Sequence, residues 1–265
     1  FVNIFKVILD FKFVIFLIIA SGFWTMYMQL FFTLPIFISQ WVDTSSMYHF
    51  FSQNMPFIAE NYSHNGMMEA EFITNFDALF IIALQIIISS IVMRWKALSA
   101  MVGGFVIATI GLALSFFTQD VSFIILAIFI FSIGEMASSP KITEYIGRIA
   151  PADKKALYMG YSFIPLFLGN IFAGIVSGKV YQDMSDKHSL LLEELKIRGI
   201  QVSEELSHND FFSNAAQQMG FSNLELTNYL WTSYQPSAIW WVIAAIGFGA
   251  AICLAIYNKV FFGKN

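Results

Sequence analysis

A carboxylate inside an apolar run, Glu135 within FSIGEMASSP, is the position in this sequence with the most chemistry to offer. A lone acid in a bilayer core costs roughly 2.5–3.5 kcal/mol on insertion scales, so such a residue faces a cavity or a partner. Two roles fit it: taking up a coupling proton or a substrate amine, or serving as a structural acid paired with a neighbouring helix. Asp77, in TNFDALFII, lies nearer a helix start. There it is either a solvated acid close to headgroup water or part of a pathway, with Asn75 as a candidate cap. Ser21, Thr25, Gln29 and Thr33 recur every four residues and line one helical face, while Trp24, Tyr27 and Phe31 share another. A polar row through a bilayer signals either a hydrated pathway or helix–helix hydrogen bonding. Further along stand Tyr158, Tyr161, Ser162, Pro165, Gly169 and Asn170. Pro165 predicts a kink, Gly174 and Gly178 a close helix contact, and Pro140 a helix break.

Other chemistries lack their residues. Cys253 is the only cysteine, which excludes an intramolecular disulfide and any cysteine-based metal cluster. No phosphate-cradling glycine loop, histidine metal motif or nucleophile elbow occurs. The acids are isolated, so an enzyme is not expected, nor is a cofactor or a metal. A net charge of −4 dispersed over loops leaves no footprint for nucleic acid. Asn61-Tyr62-Ser63 fits the glycosylation pattern, a motif short enough to arise by chance.

The elements that must position these residues are membrane spans. Of the 265 residues, 57% are hydrophobic and 12% charged, and mean hydropathy is +0.67; soluble domains carry about twice that share of charge. A bilayer core about 30 Å thick needs some 20 apolar helical residues. Six segments qualify: 13–38, 72–93, 97–117, 122–142, 156–180 and 236–257. The expected fold class is therefore an all-α membrane protein with a six-span bundle over 13–257. It is flanked by a linker at 1–12 and a tail at 258–265, with outer loops at 39–71 and 181–235. Lys6, Lys12, Arg94, Lys96, Lys141, Arg148, Lys154, Lys155, Lys259 and Lys264 fall on one side, against Lys179, Lys187, Lys196 and Arg198 on the other. By the positive-inside rule both termini are cytoplasmic, and the expected location is the plasma membrane, or the inner membrane of a Gram-negative bacterium. The second loop carries three helical patterns, SLLLEELKIRG, NDFFSNAAQQMG and SNLELTNYLW, with cap-like Ser, Asn or Gly at their ends. Short surface helices are expected there; a ligand-binding ectodomain is the other reading. The chain opens on Phe1 with no basic n-region or cleavage site, so no signal peptide is expected and the start reads as truncated.

With these residues in place a resemblance emerges. Gly134-Glu135, Ser139-Pro140, Ala150-Pro151, Met159-Gly160 and Gly169-Asn170 follow one another as they do in the tenth and eleventh spans of the proton-dependent oligopeptide transporters, a branch of the major facilitator superfamily. Phe23-Trp24, Tyr27 and Gln29 resemble the family's seventh span, and MRWKAL its loop between spans eight and nine. The match covers most of the chain outside the outer loops. It implies spans seven to twelve of a twelve-span protein made of two six-helix halves, so that an amino-terminal six-span half is missing here. It also implies symport of di- or tripeptides with protons by alternating access, Glu135 sensing the peptide amine or the coupling proton, and Trp24, Tyr27 and Gln29 lining the cavity. Tyr161 and Asn170 join that lining, and Asp77 joins Glu135 as a proton-coupling or substrate-binding candidate. The family usually has Asn-Pro where this chain has Asp77-Ala78, so an added acid alters the pocket charge. Expected partners are a small-molecule substrate, protons and the lipid bilayer. Alternatives of other classes are a major facilitator exporter of drugs or metabolites, and a non-transporting sensor or assembly subunit.

Overall fold

A computed structural model describes residues 10–202 and 207–262. Most of the expected linker, with Lys6, and the end of the tail, with Lys264, lie outside the described residues, as do residues 203–206 of the second outer loop. Among the described residues the protein is all-α apart from one short hairpin, Ser63–His64 with Met67–Met68, and six helical segments are long and apolar enough to cross a bilayer.

The first span, Phe11–Trp41, is three helices set end to end, Phe11–Tyr27, Gln29–Phe32 and Leu34–Trp41. The irregularities at Met28 and Thr33 precede Pro35, whose ring has no N–H to give and crowds the carbonyl one turn back. The second span, Ala70–Val92, joins Ala70–Thr74 to Phe76–Val92 at Asn75, whose side chain makes no capping bond, contrary to expectation. The third is Ala97–Ser115. The fourth, Val121–Ile149, runs straight through Pro140, which was expected to end it. Burial of Ile142, Tyr145 and Ile146 beyond the proline outweighs its cost of about 3 kcal/mol. Lys141 and Arg148 add ion pairs to Glu144 at 2.7 and 2.6 Å. In the fifth, Lys155–Tyr161 and Ile164–Ile175 are interrupted at Ser162 and Phe163, just ahead of Pro165. A π-helical turn, Val176–Val180, and Tyr181–Met184 complete it. The sixth is Ile239–Phe262.

Packing gives these spans a definite order. The closest neighbours form a chain: second on fourth, fourth on third, third on sixth, sixth on first, first on fifth. Exchanging first with fourth, second with fifth and third with sixth leaves this chain unchanged. The neighbour order thus has the symmetry of two three-span units, and because three crossings reverse direction the second unit would be inverted relative to the first. The tightest contact is third against fourth. A Cβ on Gly134 would stand 2.2 Å from the Ala108 backbone nitrogen, and one on Gly111 2.2 Å from that of Phe131. Gly174 and Gly178, expected to mediate close contact, have open space beside them instead.

Above one end of the bundle sits a cap made from the second outer loop. Its helices, Lys187–Arg198, His208–Met219 and Asn223–Tyr234, coincide with the three sequence patterns. Gly199 and Gly220 end the first two in left-handed conformation, with φ of 67° and 76°. Ser222 and Glu225 form a capping box on the third. Leu191, Leu195, Phe211, Ala215, Leu226 and Leu230 give the cap a small core. The cap is pinned to the spans at Trp41, whose indole N–H donates to Ser185 O at 2.8 Å, and at Ser185, whose hydroxyl donates to Pro236 O at 2.6 Å.

Glu194 ties the cap helices together. It accepts from Arg198 Nε at 2.5 Å and from the Tyr229 and Tyr234 hydroxyls at 2.8 Å each. Burial pushes this carboxyl up, but those three donors win and hold it below the usual carboxylate range. A depressed folded value stabilises the cap fully above the unfolded value of about 4.3 and loses that contribution as pH falls through the folded one. Trp231 fluorescence followed from pH 7 to pH 3 is expected to report cap loosening in the wild type. Glu194→Gln is expected to start looser at pH 7 and to lack most of that acid-dependent change. An identical pH response in the two proteins would remove Glu194 from this role.

Candidate functional site

The first, second and fourth spans bring four side chains together in the bundle. On the fourth, Ser132 and Glu135 are three residues apart and share a face. Glu135 is 14 residues into the helix, roughly 20 Å along its axis and near its midpoint. Gly134, between them in sequence, lets the third span close in behind. The Tyr27 hydroxyl donates to Glu135 Oε1 at 2.8 Å, and the Ser132 hydroxyl lies 2.5 Å from Asp77 Oδ1 and 2.9 Å from its own helix carbonyl at Ile128. The Asp77 and Glu135 carboxyls are themselves in contact. Asp77 is only 4% exposed, so it is not an acid reaching headgroup water.

No cation neutralises this pair: among the described residues neither acid belongs to an ion pair. Glu135 Oε2 is buried with no hydrogen-bond donor. A buried polar atom left so carries a penalty of about 1–3 kcal/mol. Two ionised carboxylates present only acceptors to each other, whereas one proton on either converts the contact into an O–H···O bond. The cluster can therefore hold a proton between two acids, or release it to an incoming cationic group that satisfies the same oxygens.

An opening lies one turn away. A cavity of about 510 Å³ is lined by Trp24, Ser139, Thr143, Met159, Ser162 and Phe163, between the first, fourth and fifth spans. Ser139 is four residues beyond Glu135 on the same helical face. Trp24 meets the Tyr27 ring edge-on, centroids 4.9 Å apart, and so separates the cavity from the carboxyl pair. Gly169 fixes that wall, since a Cβ there would fall 2.5 Å from Trp24 Cβ.

Of the residues singled out in the sequence, Glu135, Asp77 and Tyr27 are brought together and Trp24 lines the adjacent cavity. Gln29 is not a lining residue. It is fully buried, its amide donating to Thr25 O at 2.9 Å and to Ala173 O of the fifth span at 3.5 Å. The rest of its polar row is absorbed likewise: Ser21 donates to Leu17 O, Thr25 to Ser21 O, and Thr33 to the Gln29 side chain. The row is thus a zipper along its own helix with one bond across, and the hydrated-pathway reading of it is corrected. Tyr161 packs its ring edge-on against Phe13 at 6.4 Å, and Asn170 donates to Leu166 O at 2.8 Å. Both are half-buried and adjoin lining residues, Tyr161 between Gly160 and Ser162 and Asn170 one turn from Leu166, without themselves lining the cavity. Ser132 and Thr143 carry weaker signals in the sequence: Ser132 stands three residues before Glu135 and Thr143 eight after it on the same helix, while Ser139, noted beside Pro140, proves to line the cavity.

No protein-family model matches the chain, and no curated protein matches it.

Proposed function

We propose that this chain is one six-span half of a major facilitator transporter, resembling the carboxyl-terminal half of the proton-dependent oligopeptide transporters. In this reading it takes part in proton-coupled symport of a small organic solute such as a di- or tripeptide. The observation that carries the proposal is the Asp77–Glu135 pair: two buried acids in contact, without a counter-cation among the described residues, and one oxygen unpartnered. Acids at that depth are costly and mark proton or substrate pathways. The palindromic order of neighbours supports the architecture, because inverted three-span repeats build each half of a major facilitator protein. The wall around Trp24 and the exposed Phe163 and Phe167 of the fifth span are where the amino-terminal half would close the cavity. In this reading the membrane is the plasma membrane, or the inner membrane of a Gram-negative bacterium, and the distribution of Lys and Arg supports a cytoplasmic position for both termini of this segment.

Mechanistically, a proton and a solute amine compete for the oxygens of one carboxyl pair. Rocking of the two halves exposes that pair to alternate sides. The test is accumulation of labelled dipeptide by the intact protein in liposomes, with and without an imposed pH gradient. Gradient-dependent accumulation is expected; gradient-independent uptake, or extrusion, moves the protein to the exporter class. The self-contained cap favours a second reading, a sensor or assembly subunit. Deleting residues 189–229 would abolish that function while sparing transport.

A further inference from the structure

Lys187 occupies an unusual place. It is the first residue of the cap helix Lys187–Arg198, and its ammonium stands 4.3 Å from the Phe212 ring centroid and 5.5 Å from that of Trp41. An ammonium carries three donors and seeks oxygen acceptors, and ring faces supply only part of that need. Among the described residues its Nζ forms no ion pair. The neighbouring Asp186 is already occupied. Its Oδ1 accepts from Gln40 Nε2 at 2.7 Å, and its Oδ2 accepts from the Ser189 backbone N–H and hydroxyl at 2.8 Å each.

Two cavities of about 410 and 250 Å³ meet at this lysine, sharing Ser39, Gln40, Lys187, Phe212 and Asn223 in their walls. The larger lies between the end of the first span, the turn before the fourth and the cap, and adds neutral Gln119, Thr227 and Asn228. It is of the size that holds a small solute. Its charges are Lys187 and Asp43. The Ser45 hydroxyl and backbone N–H hold the Asp43 carboxyl below its usual range, so it stays anionic. A wall with one cation and one fixed anion accepts a singly charged carboxylate at the lysine and repels an ion of higher negative charge.

We propose that the larger cavity is a binding site for a small monocarboxylate bearing amide or hydroxyl groups, its carboxylate on Lys187 and its neutral polar groups on Asn223, Asn228 and Gln119. The site lies on the capped side, separate from the Asp77–Glu135 pair, and does not depend on the transport reading. The intact protein in nanodiscs is titrated with N-acetylglycine, its neutral twin N-acetylglycinamide and inorganic phosphate, followed by ligand-observed NMR. Saturable binding of N-acetylglycine is expected, with K187Q weakening it at least about tenfold, the cost of one charge-assisted contact. K187R is expected to retain it. Asn228→Leu, which fills the wall without touching the lysine, is expected to weaken binding similarly, so a folding defect of K187Q alone does not decide the matter. Equal binding of the neutral twin, undiminished binding by both K187Q and Asn228→Leu, or phosphate binding as tightly as N-acetylglycine would each overturn the assignment.

Discussion

With Glu135→Gln in the intact protein, a pH gradient is expected to drive no accumulation of solute beyond equilibration. One pH unit coupled to one proton stores about 1.4 kcal/mol, a tenfold concentration ratio, and the variant should fall from roughly ten to one. Glutamine keeps the size of the side chain, its amide oxygen can still accept from the Tyr27 hydroxyl, and its NH2 can donate to Asp77. The hydrogen-bond shortfall at Oε2 is thereby relieved, so the loss is one of proton exchange and not of folding. Exchange of labelled for unlabelled solute across the bilayer, which needs rocking but no net proton movement, should persist. Asp77→Asn is the companion measurement. It keeps an acceptor for Ser132 at 2.5 Å and removes the second acid, so driven accumulation should survive if Glu135 alone carries the proton. Wild-type accumulation in Glu135→Gln would sink the coupling role. Loss of exchange together with driven uptake would point to a structural part for this side chain.

The second large effect concerns packing, and it turns on Gly134 and on the neighbouring Gly103 and Gly104, which look interchangeable in the sequence. A methyl group on Gly134 would lie 2.2 Å from Ala108 N, 2.6 Å from Gly104 O and 2.7 Å from Ala108 Cα. All three are backbone atoms and cannot swing aside, so the third and fourth spans must separate. Gly134→Ala is expected to destabilise the bundle by about 1–3 kcal/mol or more. Gly104→Ala meets Gly134 O at 2.7 Å and Ser138 Cβ at 2.6 Å and should behave alike. Gly103→Ala meets nothing within 4 Å in a helix interior, and there the methyl should stabilise by up to about 1 kcal/mol. Thermal unfolding in detergent is expected to lower the midpoint for the first two variants and hold or raise it for the third. Equal shifts at Gly103 and Gly104 would mean that the two spans do not cross at these residues. Because Gly134 adjoins Glu135, its variant should also disturb the carboxyl pair, which links helix packing to the chemistry of the site.

How much of this was legible beforehand differs by residue. Six spans could be read from the chain because apolar length is a one-dimensional property: a helix that crosses lipid must satisfy its own backbone and hide few charges. The cap helices were equally visible, since Gly199, Gly220 and Ser222 are local signals acting within a few residues. Glu135 announced itself by the cost of an acid in that position. Partnership was invisible. Asp77 and Glu135 are 58 positions apart, and only the packing of the second span on the fourth makes one site of them. The same decision, taken elsewhere, turned Gln29 away from any opening and spent the hydroxyl row on its own helix. It also let Pro140 sit inside a continuous span, where burial beyond the proline outweighs the lost bond. Sequence by itself thus determined which segments enter the membrane and where charge would be expensive. Tertiary structure alone decided which of those expensive groups face one another, because contact between helices depends on rotation and crossing, and neither is written in the composition of a single span.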